Sequence, residues 1–285
     1  MSITTAADLA AGQIAMVGRA RFTLQEQAVV QKLFNKITLG PGEKSHYIPK
    51  FGAVTANDLT DGVDMTDSQS LVITGTVHTT DEAGCKVIIT KKLRAQLKED
   101  AYRAAGTVIG NAMVKKIEQD GLTLFSGLNS GIGVAAATFS IDVLRAMVAQ
   151  CMGQSEPCPD PIYGVFHPYV YDEVMNDIAT PGTNNMPPVL QDKALMRYFR
   201  GVDKIWGVPI FTSSFITPNA LDDAYGAVFS KQAFVYLVGW EPENWVEEDK
   251  SLRGWEIGIV ADYSMVEEDG GYGRYSLHDA TAPVA

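Results

Sequence analysis

The sequence predicts an α+β protein organised around one long helix, with a projecting β-ribbon before it and a closing β region after it. Three observations carry that expectation. Residues 91–120, KKLRAQLKEDAYRAAGTVIGNAMVKKIEQD, place apolar side chains at helical steps of three and four. Residues 46–54 and 71–78 are rich in β-branched and aromatic residues and flank a polar, acidic loop. From Gly201 onward, short β-rich runs alternate with polar turns.

Along the chain, residues 1–20 are small and polar with scattered apolar positions and are expected to form an arm. Residues 21–36 read as an amphipathic helix with Leu24, Val29, Val30, Leu33 and Phe34 on its apolar side, stopped by Gly40-Pro41-Gly42. The ribbon follows. Pro49 favours an edge position, because it cannot donate to a strand ladder. Its tip, residues 57–70, carries Asp58, Asp61, Asp64 and Asp67. Two strands with so little to bury between them make a poor independent fold and need a surface to lie on.

The chain returns through residues 86–90 and enters the spine helix directly. Leu93, Leu97, Ala101, Ala104, Val108 and Ala112 form one apolar stripe, and Ile109, Met113 and Ile117 add a second. At 1.5 Å per residue the run spans about 45 Å, longer than the core of a small domain needs. Gly106 and Gly110 share a face without side chains, and each costs about 1 kcal/mol relative to Ala. Either another backbone packs close there, or the pair is tolerated on a solvent face.

Residues 121–138 read as a Gly/Ala-rich connector. Ser140 is the expected N-cap of a helix through Met152 that Gly153 ends. A strand at 162–166 meets His167-Pro168, and Pro168 opens a helix to about Ile178. A loop at 180–188 and a helix at 189–200 follow. Strands are expected at 205–213, 224–230, 234–239, 255–266 and 272–277.

The chain has 285 residues, 46% of them hydrophobic and 20% charged, so it can bury a full core. No apolar run approaches a membrane span. The first positive charge is Arg19, which argues against a signal peptide. Cys85, Cys151 and Cys158 form no CxxC and suggest reduced, packed thiols. A net charge of -11 argues against tight grip on nucleic acid while permitting a wall that faces it.

The search for chemistry comes back empty. His46, His78, His167 and His278 have no partner at ligand spacing, so no local metal motif exists. Gly131-Ile-Gly133-Val-Ala-Ala136 matches a dinucleotide fingerprint in letters only, since no buried strand precedes it. No GxSxG elbow or P-loop occurs. The aspartates of the ribbon tip recur every third residue without the EF-hand order. They are a solvated tip, a contact for basic side chains, or a calcium site. The acidic runs Glu241–Asp249 and 267–269 read as solvated turns. No catalytic residue, cofactor or metal site is assigned, and the chain is expected not to be an enzyme.

The order of parts resembles the HK97-like major capsid proteins of tailed bacteriophages over nearly the whole chain. The stretches that carry the resemblance are CKVIITKKLRAQLKEDAYRAAGTVIGNAMVKKIEQDGLTLFSGL, VFHPYVYDEVMNDI and GVDKIWGVPIFTSSF. They are similar to the spine helix, the helix after the "hP" turn and the "GvPv" strand of such proteins. The resemblance implies an N-terminal arm and helix at 1–39, an extended loop at 40–80, and a peripheral-domain strand and spine helix at 81–139. It implies an axial domain at about 140–235 and a β region returning to the peripheral domain at 236–285.

It further implies copies of this chain as partners, in hexamers and pentamers around double-stranded DNA. The resulting virion capsid would be assembled in the host cytoplasm. A portal and a decoration protein belong to the same expectation. Many relatives begin with a long helical scaffolding segment; here only a short arm follows Met1, so a separate scaffolding protein is expected. Asp58, Asp61, Asp64 and Asp67 of the tip are the candidate inter-subunit contacts, with Arg94, Arg103, Gly106 and Gly110 of the spine. The alternatives are an encapsulin-like nanocompartment shell of the same fold and a soluble α/β enzyme.

Overall fold

The computed structural model describes residues 29–52, 54–66, 68–96, 100–179 and 206–283, with the side chains of 94–105, 107, 178 and 179 left aside. The expected arm at 1–20, most of the helix at 21–36, the loop at 180–188 and the helix at 189–200 lie outside the described residues. The rest is α+β. Its helices are α1 (Val30–Leu33), α2 (Lys91–Gln96), α3 (Asp100–Thr123), α4 (Ile141–Met152) and α5 (Pro168–Ala179). Its strands are β1 (Asn35–Thr38), β2 (Ser45–Phe51), β3 (Ile73–Thr79), β4 (Asp81–Thr90), β5 (Gly131–Ile132), β6 (Ile162–Phe166), β7 (Ile210–Thr212), β8 (Asp223–Ser230), β9 (Phe234–Asp249), β10 (Gly254–Glu267) and β11 (Gly273–Asp279).

The strands form two sheets and a ribbon. One sheet has the order β1-β9-β10-β4, the other β5-β11-β8-β6-β7, and among the described residues β2 pairs only with β3. The chain passes between the sheets at two 3-10 turns, Lys231–Ala233 and Gly270–Tyr272. Four phenylalanines meet at that junction. Phe229 of β8 and Phe234 of β9 are 5.1 Å apart edge to face, and Phe34 stacks on Phe234 at 4.7 Å. Phe125, from the turn after α3, approaches both, at 5.4 and 5.9 Å. All four are fully buried, so this cluster ties both sheets, α1 and the end of the spine into one core.

The spine sits on β4 and β10. The Thr90 hydroxyl accepts from the Leu93 N–H at 3.2 Å and caps α2, so the strand feeds straight into the helix. Lys91 pairs with Glu248 at 2.5 Å and lies over the Trp255 ring. The buried strip is the second one: Ile109, Met113 and Ile117 are 1–3% exposed. Val108 is half exposed and Ala112 is exposed, which corrects the expected stripe where the side chains are described. Leu93 is buried at its start; Leu97, Ala101 and Ala104 fall outside the described side chains. Helix α3 also runs to Thr123, taking the first residues of the expected connector.

Helix α1 is pinned to the spine. Glu118 is fully buried, and its carboxylate oxygens accept from the Val30 N–H at 3.0 and 3.1 Å. Gly121 leaves room there: a Cβ would come 2.4 Å from a Val30 methyl. The helix expected to reach residue 36 ends at Leu33, and Asn35–Thr38 is drawn into a parallel pair with Val235–Val238. Ser140 caps α4 as expected, accepting from Val143 N–H at 3.4 Å. The strand expected at 205–213 is regular only over Ile210–Thr212. The run expected as a turn, Glu241–Asp249, is the outer part of β9, paired to β10 and largely exposed on both faces.

Candidate assembly surface

The ribbon β2–β3 is in register from Ser45↔Thr79 to Phe51↔Ile73, as the alternating composition requires. Gly75 allows it: a Cβ there would meet the Ile48 carbonyl at 2.5 Å and the Tyr47 ring at 2.6 Å. Only its root is tied to the body. Ile48 is buried with Leu39, Val235 and Leu237, and Lys50 pairs with Asp269 at 2.6 Å. His46 faces His78 across the root, and burial together with that imidazole lowers the pKa of His78.

Beyond the root, every described residue from Pro49 to Val77 is exposed. The apolar ones are no exception. Phe51 is 60% exposed, and Leu59 and Val63 are each 67% exposed. Met65, Leu71 and Val77 are similarly bare. Full burial of one such side chain contributes roughly 1.5–3 kcal/mol. Six of them together exceed the low end of the roughly 4–15 kcal/mol that association costs. A patch of this kind marks an interaction surface.

The tip between the strands is irregular. Asp58, Asp61 and Asp64 are exposed there, and Asp67 lies outside the described residues. A Gln69–Thr55 exchange closes the loop, with Thr55 N–H donating to Oε1 at 2.8 Å and Nε2 donating back to the Thr55 carbonyl at 2.6 Å. Among the described residues no group of three or more His, Cys, Asp and Glu side chains could hold a metal ion.

The second candidate surface is the outer side of the spine. An added Cβ at Gly106 or Gly110 would meet nothing within 4 Å, so no backbone among the described residues accounts for either glycine. Gly106, Val108 and Ala112 are exposed along it. Arg94 is in α2 and Arg103 in α3, with side chains outside the described set. Sequence reasoning missed the outer half of β9, where Glu241, Glu243, Glu247 and Glu248 line a strand with no partner on its outer edge among the described residues. Such an edge is guarded against stray pairing by charge and by Pro242. Among the described residues no helix is long and apolar enough to cross a membrane.

No family model matches the sequence, and no curated protein matches it. Solved structures do match in fold. The capsid of cyanophage P-SCSP1u superposes with a TM-score of 0.69 at 14% identity, covering 93% of this chain and 92% of that one. The mature capsid of bacteriophage PhiM1 gives 0.65 at 13% identity over 91% and 89%. The holo-SrpI encapsulin complex from Synechococcus elongatus PCC 7942 gives 0.65 at 11% identity over 100% and 99%. The chain thus has the HK97-like fold seen in these capsid and encapsulin structures.

Proposed function

We propose that this chain is the major capsid subunit of a tailed-phage head, assembling into hexamers and pentamers of an icosahedral shell that encloses double-stranded DNA. The observation that carries the proposal is the ribbon, exposed from Pro49 to Val77 with its apolar side chains bare. A hairpin of this kind is marginal alone and gains stability on a neighbouring copy. The acidic balance supports a wall that confines DNA without binding it tightly. The role is structural, not catalytic.

In this reading residues 81–139 and 236–285 form the peripheral domain, 140–235 the axial domain and 40–80 the extended loop. The tip aspartates meet basic side chains of a neighbour, with Arg94 and Arg103 the candidates, and Gly106 and Gly110 receive a neighbour's backbone. Scaffolding, portal and decoration proteins complete the head by fold-level analogy.

A second reading, the shell of a cellular nanocompartment, is favoured by the end-to-end match to an encapsulin. Electron microscopy of the expressed chain, with a scaffolding protein where one is needed, tests both. Closed shells are expected, and nucleic acid inside them supports the phage head while a packaged protein supports the compartment. A monodisperse monomer under all assembly conditions would overturn both.

A further inference from the structure

Two of the three free cysteines are held together at the edge of α4, packed in the core in an arrangement that the shell role does not use. Cys151 ends α4, and an exposed turn leads to Cys158, whose backbone N–H donates to the Cys151 carbonyl at 3.0 Å. A bond of that length keeps the two Cα atoms within the roughly 4.4–6.8 Å that a disulfide spans. Both thiols are buried, at 0% and 4% exposure. Gln154 reaches in from the turn and donates to Cys158 Sγ at 3.2 Å.

The third component is Arg274 of β11, which is 9% exposed. Its guanidinium donates to the Gly271 and Gly273 carbonyls at 3.2 and 2.6 Å and to Gln154 Oε1 at 2.7 Å, while Nε has no partner. No carboxylate pairs with it among the described residues. A buried cation needs a counter-charge. The group that shares its surroundings is Cys158, through Gln154 and the Gly271 carbonyl.

We propose that Cys151 and Cys158 are a redox-active dithiol, with Cys158 the attacking thiolate and Cys151 the resolving thiol, closed into an intrachain disulfide by a small oxidised disulfide. Cys158 sulfur attacks one sulfur of that disulfide, forming a mixed disulfide and releasing one small thiolate. The Cys151 thiol then passes its proton to solvent and attacks the Cys158 sulfur, releasing the second. The two protein thiols lose two electrons, and the small disulfide takes them up as two thiols. The neighbouring Cys151 thiol, with Arg274 and Gln154, pulls the Cys158 thiol below its ordinary range although burial opposes this. Cys158 and burial raise Cys151, whose thiol donates to the Val228 carbonyl at 3.8 Å and keeps its proton until attack. Cys85, whose thiol burial pushes up, has no such neighbours and stays a spectator.

The test treats the folded full chain with oxidised glutathione at neutral pH, then alkylates in denaturant and maps the peptides by mass. The expected product joins Cys151 to Cys158 with the loss of two hydrogens, leaving Cys85 alkylated. Cys151→Ser should trap a glutathione adduct on Cys158, and Cys158→Ser should react about tenfold more slowly. Arg274→Gln should slow the Cys158 reaction at pH 7 and move its rate–pH midpoint upward, whereas an arginine that only supports the fold would leave that midpoint in place. Wild type with both thiols still alkylated, reaction only in denaturant, an unmoved midpoint, or Cys85 reacting first would each overturn the proposal.

Discussion

Phe125 and Phe51 are the same side chain in opposite circumstances. Phe125 is fully buried among Phe229, Phe234 and their neighbours, whereas Phe51 is 60% exposed on a ribbon that touches the body only at its root. The junction of the sheets has satisfied its apolar groups within one chain. The ribbon has not, although its sequence is more polar than the chain average. Stability therefore resides in the junction of the sheets, and the ribbon carries the bare apolar surface on which the proposed assembly rests.

The sharpest way to break that contrast is to truncate each residue. Phe125→Ala should cost about 3–5 kcal/mol in urea unfolding. Phe51→Ala should change the unfolding of the free chain by no more than about 0.5 kcal/mol. Its effect should appear instead as loss of large particles in sedimentation. Equal destabilisation by the two variants would erase the distinction.

Glycines sharpen it further. Gly121→Ala drives a Cβ to 2.4 Å from Val30 and should cost about 1–3 kcal/mol through overpacking. Gly110→Ala adds its methyl to open space and should stabilise the free chain by about 1 kcal/mol while weakening assembly. A Gly110→Ala chain that still assembles normally would remove the spine face from the candidate contacts.

The smallest expected effect is on pH dependence. His278 is buried against Phe139, and that burial lowers its pKa, although a hydrogen bond at the Ala137 carbonyl opposes the shift. Protonation then favours the unfolded chain, so its contribution is complete above about pH 6.5 and is lost as pH falls through the lower folded value. Glu268 has the opposite sign, because burial raises its pKa and its ionisation opposes folding. As pH falls from 7.5 to 5, the urea midpoint of His278→Gln should therefore gain on that of wild type. Parallel slopes would rule this group out as the source.

Much of this contrast is legible in the sequence, and the failures have physical causes. The strands at 162–166 and 224–230 come out within a residue, because short β-branched runs between turn residues admit few alternatives. Ser140 is legible as a cap because a hydroxyl before an apolar helix has one obvious use. The ribbon shows itself by what it cannot bury. The spine was harder: both strips satisfy helical spacing, and the buried one has the larger side chains, Ile109, Met113 and Ile117. Asn35 and Lys36, read as the end of a helix, are instead claimed by the edge of β9, a long-range pairing that outweighs local preference. The outer half of β9 gives no alternation, since both its faces are wet. Glu118 and the cysteine–arginine cluster depend on residues far apart in the chain, and no local spacing brings such groups together.

Hydrogen exchange along residues 49–77, compared between the free chain and purified particles, tests the central claim most directly. Fast exchange across the ribbon in the free chain and strong protection in the particle is the predicted result. Protection already present in the monomer, or fast exchange persisting in the closed shell, would contradict it.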